Sequence, residues 1–479
     1  MKDYANYDAL GLAELVHTGQ VKAKEVLEAA LVRAEAAQKE LNCFANLFPD
    51  IAREQISSGL PRGPFEGVPY PTKDLAVAIK GAPLTNGSRG WKDHVADRDS
   101  VITERYRAAG LTLFGATTSP EFGLTTSTES ILFGETRNPW NVKRTSGGSS
   151  GGASAAVAAG VVPLAQASDG GGSIRIPAAC TGLFGIKPSR GRIPMGPAVT
   201  ENWLGLSTVH AVSRSVRDSA ALMDTTHGAE PGARYHAPPV LDTYLSAVSL
   251  EPRPLKIALW LTAPNGTQPD GDAMVGLKNT VKLLENLGHT VEEATPAFDG
   301  AALGDAMLKT LCAAMAAVFE ARSLELGREM GDQDFEPISM HYIKIGQTTP
   351  MLELYKANNA FQTAAITYDR FLTEGGFDLV LSPTLSRQPD PLGVLGLNPK
   401  DFKAYGEAVT TFAPWCAPFN QMGAPAMSVP LHWSDDNLPL GMMFGAAYGN
   451  ERLLFQLAGQ LERAAPWADK RPPVWVGDL

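Results

Sequence analysis

Hydrophobic positions along this chain follow two rhythms. Near the start, ALGLAELVHTG follows Asp8, which predicts a helix capped by Asp8 and closed by Gly19. The next stretch, QVKAKEVLEAALVRAEAAQKEL, sets Val26, Leu27, Ala30, Leu31 and Ala34 at helical spacing. Past residue 110, short apolar runs alternate with helical stripes. LTLFGATTS reads as a strand, SGGASAAVAAG as a helix start and VVPLAQAS as a strand again. LKIALWL (255–261) leads to a helix with Met274, Leu277, Val281 and Leu284 on one face and Gly288 behind it. TVEEAT, DLVLSPT, AMSVPL and LGMMFGAA are further short strands. This alternation argues for an α/β fold with helices covering a largely buried sheet. The segment from about 296 to 375 is richer in helix signals and reads either as a cap over a site or, the reading favoured here, as an outer layer with a share in a pocket.

Composition narrows the picture. The 479 residues hold 44% apolar and 19% charged positions, ordinary for a folded protein with a large core. No repeat, charge block or Pro/Ser-rich linker divides them. A formal charge of −10 argues against nucleic acid or an anionic membrane as partner. Cys43, Cys180, Cys312 and Cys416 lie far apart with no C-x-x-C pair, so buried reduced thiols in a cytoplasmic protein are expected. The first residues lack the apolar core of a secretory signal. Two long uncharged stretches are not membrane spans: 145–168 is dominated by Gly, Ser and Ala, and 409–434 is broken by Pro414, Pro418, Pro425 and Pro430. Neither a metal nor a cofactor is expected.

The candidate chemistry sits in RTSGGSSGGASAA, Arg144 to Ala156, and DGGGSIRIPA, Asp169 to Ala178. A flexible linker would not run into an alanine-rich helix and an apolar strand. A phosphate cradle would need G-x-x-x-x-G-K-[ST], or G-x-G-x-x-G with its acid downstream; neither is present. A serine enzyme remains, in two versions. Gly147 to Gly151 formally matches the G-x-S-x-G elbow, which needs a downstream histidine; His432 is the best candidate. The second version uses both turns. A helix of about ten residues rises ~15 Å, and a strand returning over 161–167 covers ~20 Å. The chain then comes back to where the helix began, so Ser173 can lie beside Ser149.

The stretch GGSSGGASAAVAAGVVPLAQASDGGGSIRIPAACTGLFGIKPSRGR, Gly147 to Arg192, resembles the signature of the amidase signature family. GVPYPTKDLAV (67–77) resembles that family's lysine motif and TRNPWN (136–141) its lead-in to the serine segment. FNQMGAPAMSVP and LGMMFGAAYGNERLLFQLAGQLE match its C-terminal core. The likeness runs through nearly the whole chain and is loosest between about 225 and 375. It implies one large domain over 1–479, with a serine core at about 60–210 and a variable, pocket-forming region at about 225–375. A central mixed, mostly parallel twisted sheet would be covered by helices on both faces.

The resemblance further implies an amidase with Ser173 as nucleophile, Ser149 as bridging serine after a cis Gly148–Ser149 bond, and Lys73 as base. A serine hydroxyl needs a base to take its proton. A lysine serves only when neutral, which at pH 7 asks for a pKa drop of roughly 3 units; burial between apolar VPYP and LAVAI supplies such shifts. Gly170, Gly171 and Gly172 would turn N–H groups toward the forming oxyanion. Ser150, Asp169 and Arg175 would support the site. One departure stands out: many members carry a side chain where this chain has Gly170, which is expected to leave room beside the scissile bond. The details look most like members that open nylon-type cyclic amides, in which Cys312 would fall in the substrate pocket. Aryl amides, carbamates and fatty amides stay open as substrates. So does a role as an amidotransferase subunit, although apolar Ile176 in GSIRIPA fits a stand-alone hydrolase better. The family suggests a homodimer.

Overall fold

The computed structural model of the chain describes residue 1 and residues 3–479. Both N-terminal helices form where the periodicity sets them. Helix α1, Ala9–His17, is capped by Asp8, whose side chain accepts from Gly11 N. Helix α2, Ala23–Leu41, buries Val26, Leu27, Ala30, Leu31 and Ala34 against the core.

Two sheets position the site. The smaller holds β1 (Phe44–Leu47), β2 (Pro69–Lys73) and β3 (Thr112–Thr117) in the order β1-β3-β2. The larger holds eight strands. They are β4 (Leu164–Asp169), β5 (Phe184–Lys187), β6 (Thr208–Ser213), β7 (Lys256–Leu259), β8 (Thr290–Glu293), β9 (Leu379–Pro383), β10 (Ala426–Trp433) and β11 (Pro439–Ala446). Their spatial order is β8-β7-β9-β11-β10-β5-β6-β4.

The α/β class and the mixed sheet stand, but the expected dominance of parallel pairs does not. Only β8/β7 and β7/β9 are parallel; the other five neighbouring pairs run antiparallel. For the β10/β11 pair the physical reason is local. AMSVPL and LGMMFGAA are joined by a short polar turn, and strands joined that way must pair antiparallel.

One hydrophobic cluster draws residues from Tyr4 to Val476 and is continuous across the large sheet. Helix α3, Gly151–Ala158, is buried on all sides, which its Gly/Ala/Ser composition permits because no bulky side chain holds its neighbours off. The helix at Gly271–Asn286 presents a slightly rotated face. Ala273, Gly276, Leu277, Thr280 and Leu284 are buried, whereas Met274 and Val281 are half-buried. Gly276 explains the rotation: a Cβ there would stand 2.5 Å from Met442 Cε and 3.0 Å from the His432 ring, so the helix seats its smallest residue against the sheet.

The helix-rich segment forms three long helices, Gly300–Leu326, Pro337–Thr348 and Met351–Gly375. The first is, among the described residues, the one helix long and apolar enough to cross a membrane. Here it packs against the other two.

Candidate active site

Lys73 ends β2, and β2 lies against β4 of the large sheet: Lys73 N donates to Gln166 Oε1 at 2.6 Å. The lysine side chain is wholly buried. Its Nζ donates to Ser149 Oγ at 2.6 Å and to Ser168 Oγ at 3.0 Å, and the carboxylate next in sequence takes no part. Asp74 turns the other way and accepts from Thr85 N (2.7 Å), Thr85 Oγ1 and Gly87 N (3.3 Å). Burial drives the Lys73 amine down to about 7; the Asp169 charge opposes this without reversing it. An amine with that pKa is half neutral at pH 7, so it can take a proton from a hydroxyl it touches.

Ser149 lies one residue before the N-cap of α3. The Gly148–Ser149 peptide is cis, as the resemblance implies. A Cβ on Gly148 would stand 2.4 Å from the Ser127 carbonyl oxygen, so only glycine fits beneath this turn. Thr128 staples the turn at both ends, its Oγ1 donating to Gly147 O at 2.9 Å and accepting from Gly151 N at 3.0 Å. The N-cap itself is Ser150. Its Oγ donates to Ser168 O and accepts from Ser168 N, both at 3.3 Å, and so ties the start of α3 to the end of β4.

The second turn is built around a buried ion pair. Arg175 donates through Nε to Asp169 Oδ2 and through Nη2 to Asp169 Oδ1, each at 3.0 Å, and both side chains are fully buried. Asp169 in turn accepts from Gly172 N (2.7 Å) and Ile174 N (3.1 Å). Asn420 completes the clamp by donating to Asp169 Oδ1 and to the Asp169 carbonyl at 2.9 Å, while accepting from Arg175 at 2.7 Å. Burial alone would raise the Asp169 carboxyl; the Arg175 charge and these bonds hold it at about 2. A second buried amine, Lys187, is held at about 7 by burial and by the Arg175 charge, and donates to Pro188 O at 2.7 Å.

This clamp corrects one expectation. Gly172 (φ +134°) gives its N–H to Asp169, so that group is not free for an oxyanion. Among the described residues, the N–H groups of Gly170, Gly171 and Ser173 donate to no protein acceptor. Gly170 also differs from expectation. The space beside it is filled, since a Cβ there would stand 2.5 Å from Cζ3 and 2.7 Å from Cε3 of Trp203.

Ser173 opens onto a cavity of about 490 Å³, and among the described residues its side chain forms no hydrogen bond. Gly171 and Ile176 stand beside it, Trp203, Leu303 and Met307 form apolar walls, and Gln421 brings a polar group. Several of these walls, Leu303, Met307, Leu308 and Leu311, come from the helix Gly300–Leu326. Cys312 does not line the cavity. It is fully buried, and its backbone is closely approached by Gly346: a Cβ on Gly346 would stand 1.9 Å from the Cys312 carbonyl oxygen. His432 lies on β10 against Gly276 and outside the cavity lining, so the elbow reading has no base.

Ser168, Gln166, Asn420 and Trp203 were not singled out from the sequence. Ser168 sits in the quoted ASDGGGS and Asn420 in FNQMGAP; their partners lie far off in the chain, so only folding identifies them.

A family model described as Amidase matches residues 25–455. The 6-aminohexanoate-cyclic-dimer hydrolase of Paenarthrobacter ureafaciens is 38% identical, with 97% of this chain and 96% of that protein covered. A solved structure of 6-aminohexanoate cyclic dimer hydrolase complexed with substrate superposes with a TM-score of 0.92 at 35% identity, covering 98% of this chain and 99% of the other. A bacterial aryl acylamidase of the amidase signature family gives 0.86 at 29% identity, covering 97% and 99%. Agreement of that extent in sequence and in fold leads to one assignment: the chain belongs to the amidase family and is an enzyme that hydrolyses the C–N bond of carboxylic amides.

Proposed function

We propose that Ser173 is the nucleophile, Lys73 the base and Ser149 the relay between them, and that the substrate is an apolar amide, linear or cyclic, of the nylon-oligomer kind. The observation that carries the catalytic reading is the amine of Lys73, buried, near pKa 7 and 2.6 Å from the Ser149 hydroxyl. In acylation, Ser173 Oγ bonds to the carbonyl carbon. Its proton passes to Ser149 Oγ while the Ser149 proton passes to Lys73 Nζ. The C=O π pair moves onto oxygen, where the free N–H groups of Gly170, Gly171 and Ser173 face the charge. As the C–N bond breaks, the proton returns from Lys73 through Ser149 to the leaving nitrogen. Water then adds to the ester by the same relay and releases the carboxylic acid. The relay needs a Ser149–Ser173 hydrogen bond that this conformation does not make; catalytic bonds of this kind commonly close only on the way to the transition state.

The substrate reading is supported by the apolar cavity walls and by the cyclic-dimer hydrolase relatives. Four buried free thiols support a reducing, cytoplasmic setting, and we take the working form to be a homodimer. The test is a screen of linear and cyclic amides with the purified chain alone. It is followed by trapping of the acyl-enzyme and mass mapping of the labelled residue. A label on Ser173 supports the reading; a label elsewhere, or turnover that needs a partner chain, overturns it. Light scattering on the same sample gives the oligomeric state.

A further inference from the structure

The indole of Trp203 stands where a side chain on residue 170 would have to be, against the turn that carries Ser173. Its backbone is unusual. Trp203 (φ 54°) and Leu204 (φ 55°) are consecutive non-glycine residues in the left-handed region, followed by Gly205 at 79°. Side-chain-bearing residues enter that region at a cost and stay there when their surroundings dictate it. Here the surroundings are specific. Arg190 Nε donates to Gly205 O at 2.8 Å, and Asn420 Nδ2, which grips Asp169, also donates to Leu206 O at 3.0 Å. The Trp203 segment and the Asp169–Ser173 turn therefore share one clamp. Around that turn the ring is joined by Met307, whose Cε lies 3.2 Å from where a Cβ on Gly171 would be, and by Ile176.

We propose that Gly170 and Trp203 form a steric pair that sets substrate specificity: the ring narrows the cavity beside Ser173 so that only unbranched carbon fits next to the scissile amide. The pair thus selects straight polymethylene amides over α-branched ones. This rests on the assignment of Ser173 as nucleophile made above. The ring touches no reacting atom in this account; its role is to exclude bulk. Alanine at 170 must push the ring out of place, and removal of the ring must relieve that clash.

The test compares hexanoyl and 2-methylhexanoyl p-nitroanilide on wild type, W203A, W203F, G170A and G170A/W203A. Wild type should prefer the straight chain, and W203A should shrink the ratio of kcat/KM values by about 10-fold or more, the scale of discrimination an apolar pocket gives per methyl or methylene group. W203F should fall between. G170A should lower both kcat/KM and Tm, and W203A in the same chain should recover part of each. A branched-to-straight ratio unchanged by W203A overturns the specificity role. A G170A effect on Tm that is the same with and without Trp203 overturns the steric pair. Should wild type bind but cleave neither anilide, the proposed substrate reading fails on its own account, and the Tm comparison still decides the pair.

Discussion

The base role proposed for Lys73 rests on an amine that meets two hydroxyls and no carboxylate. A contact with Asp74 would stabilise the ammonium and keep the pKa high; the turn at Thr85 and Gly87 takes that carboxylate away. With the amine at about 7, the active, neutral form grows as pH rises through that value, so kcat/KM should climb from pH 6 to 8 and then level. A profile flat through that range would contradict the assignment. S173A and K73A should each lower kcat by about 10⁴-fold or more, as loss of a member of a nucleophile–base unit does elsewhere. S149A should cost about 10²–10⁴-fold, the usual worth of a positioned proton carrier. H432A should leave turnover nearly unchanged, since that ring lies outside the cavity lining.

At the scale of elements, two turns carry the proposed site, and each is held by a different device. The Ser149 turn is shaped by close packing: Gly148 lies on the Ser127 backbone, and Thr128 bridges its ends. The Ser173 turn is shaped by charge. Removing Arg175 would leave Asp169 buried without its partner, and truncation of one member of a buried pair costs about 3–5 kcal/mol. R175A should therefore unfold at much lower urea than wild type at pH 7. The sign follows from Asp169, whose carboxyl is held below its ordinary value. Its contribution is present above about pH 4 and is lost as pH falls through about 2, so the gap between the proteins should narrow in acid.

Across the whole molecule, burying lysines links stability to pH. The Lys73 amine is lowered from 10.5 to about 7 on folding. Between those values the unfolded chain binds more protons than the folded one, so stability rises with pH. Below about 7 both states are protonated and the effect is flat. Measured against K73M, which lacks this group, wild type should gain stability between pH 7 and 10. Calorimetry of the two proteins across that range checks it, and parallel curves would contradict it.

Much of this molecule was legible before folding. Lys73, Ser149 and Ser173 lie in contiguous motifs, and the helical face of α2 follows from its spacing. The parts that escaped depend on pairing between distant segments. Asn420 reaches Asp169 from 251 residues away, and Trp203 means nothing until the sheet brings it over Gly170. The sheet's antiparallel majority was partly visible, because AMSVPL and LGMMFGAA are too close in sequence for a parallel crossover.

The most direct test of the account is the protonation of Lys73 itself. Lysine labelled with ¹³C at Cε can be titrated by NMR in the S173A protein, with K73M and K187M spectra used to tell the two buried amines apart. The account predicts a midpoint for Lys73 near 7. A midpoint near that of an ordinary exposed lysine, about 10.4, would contradict it.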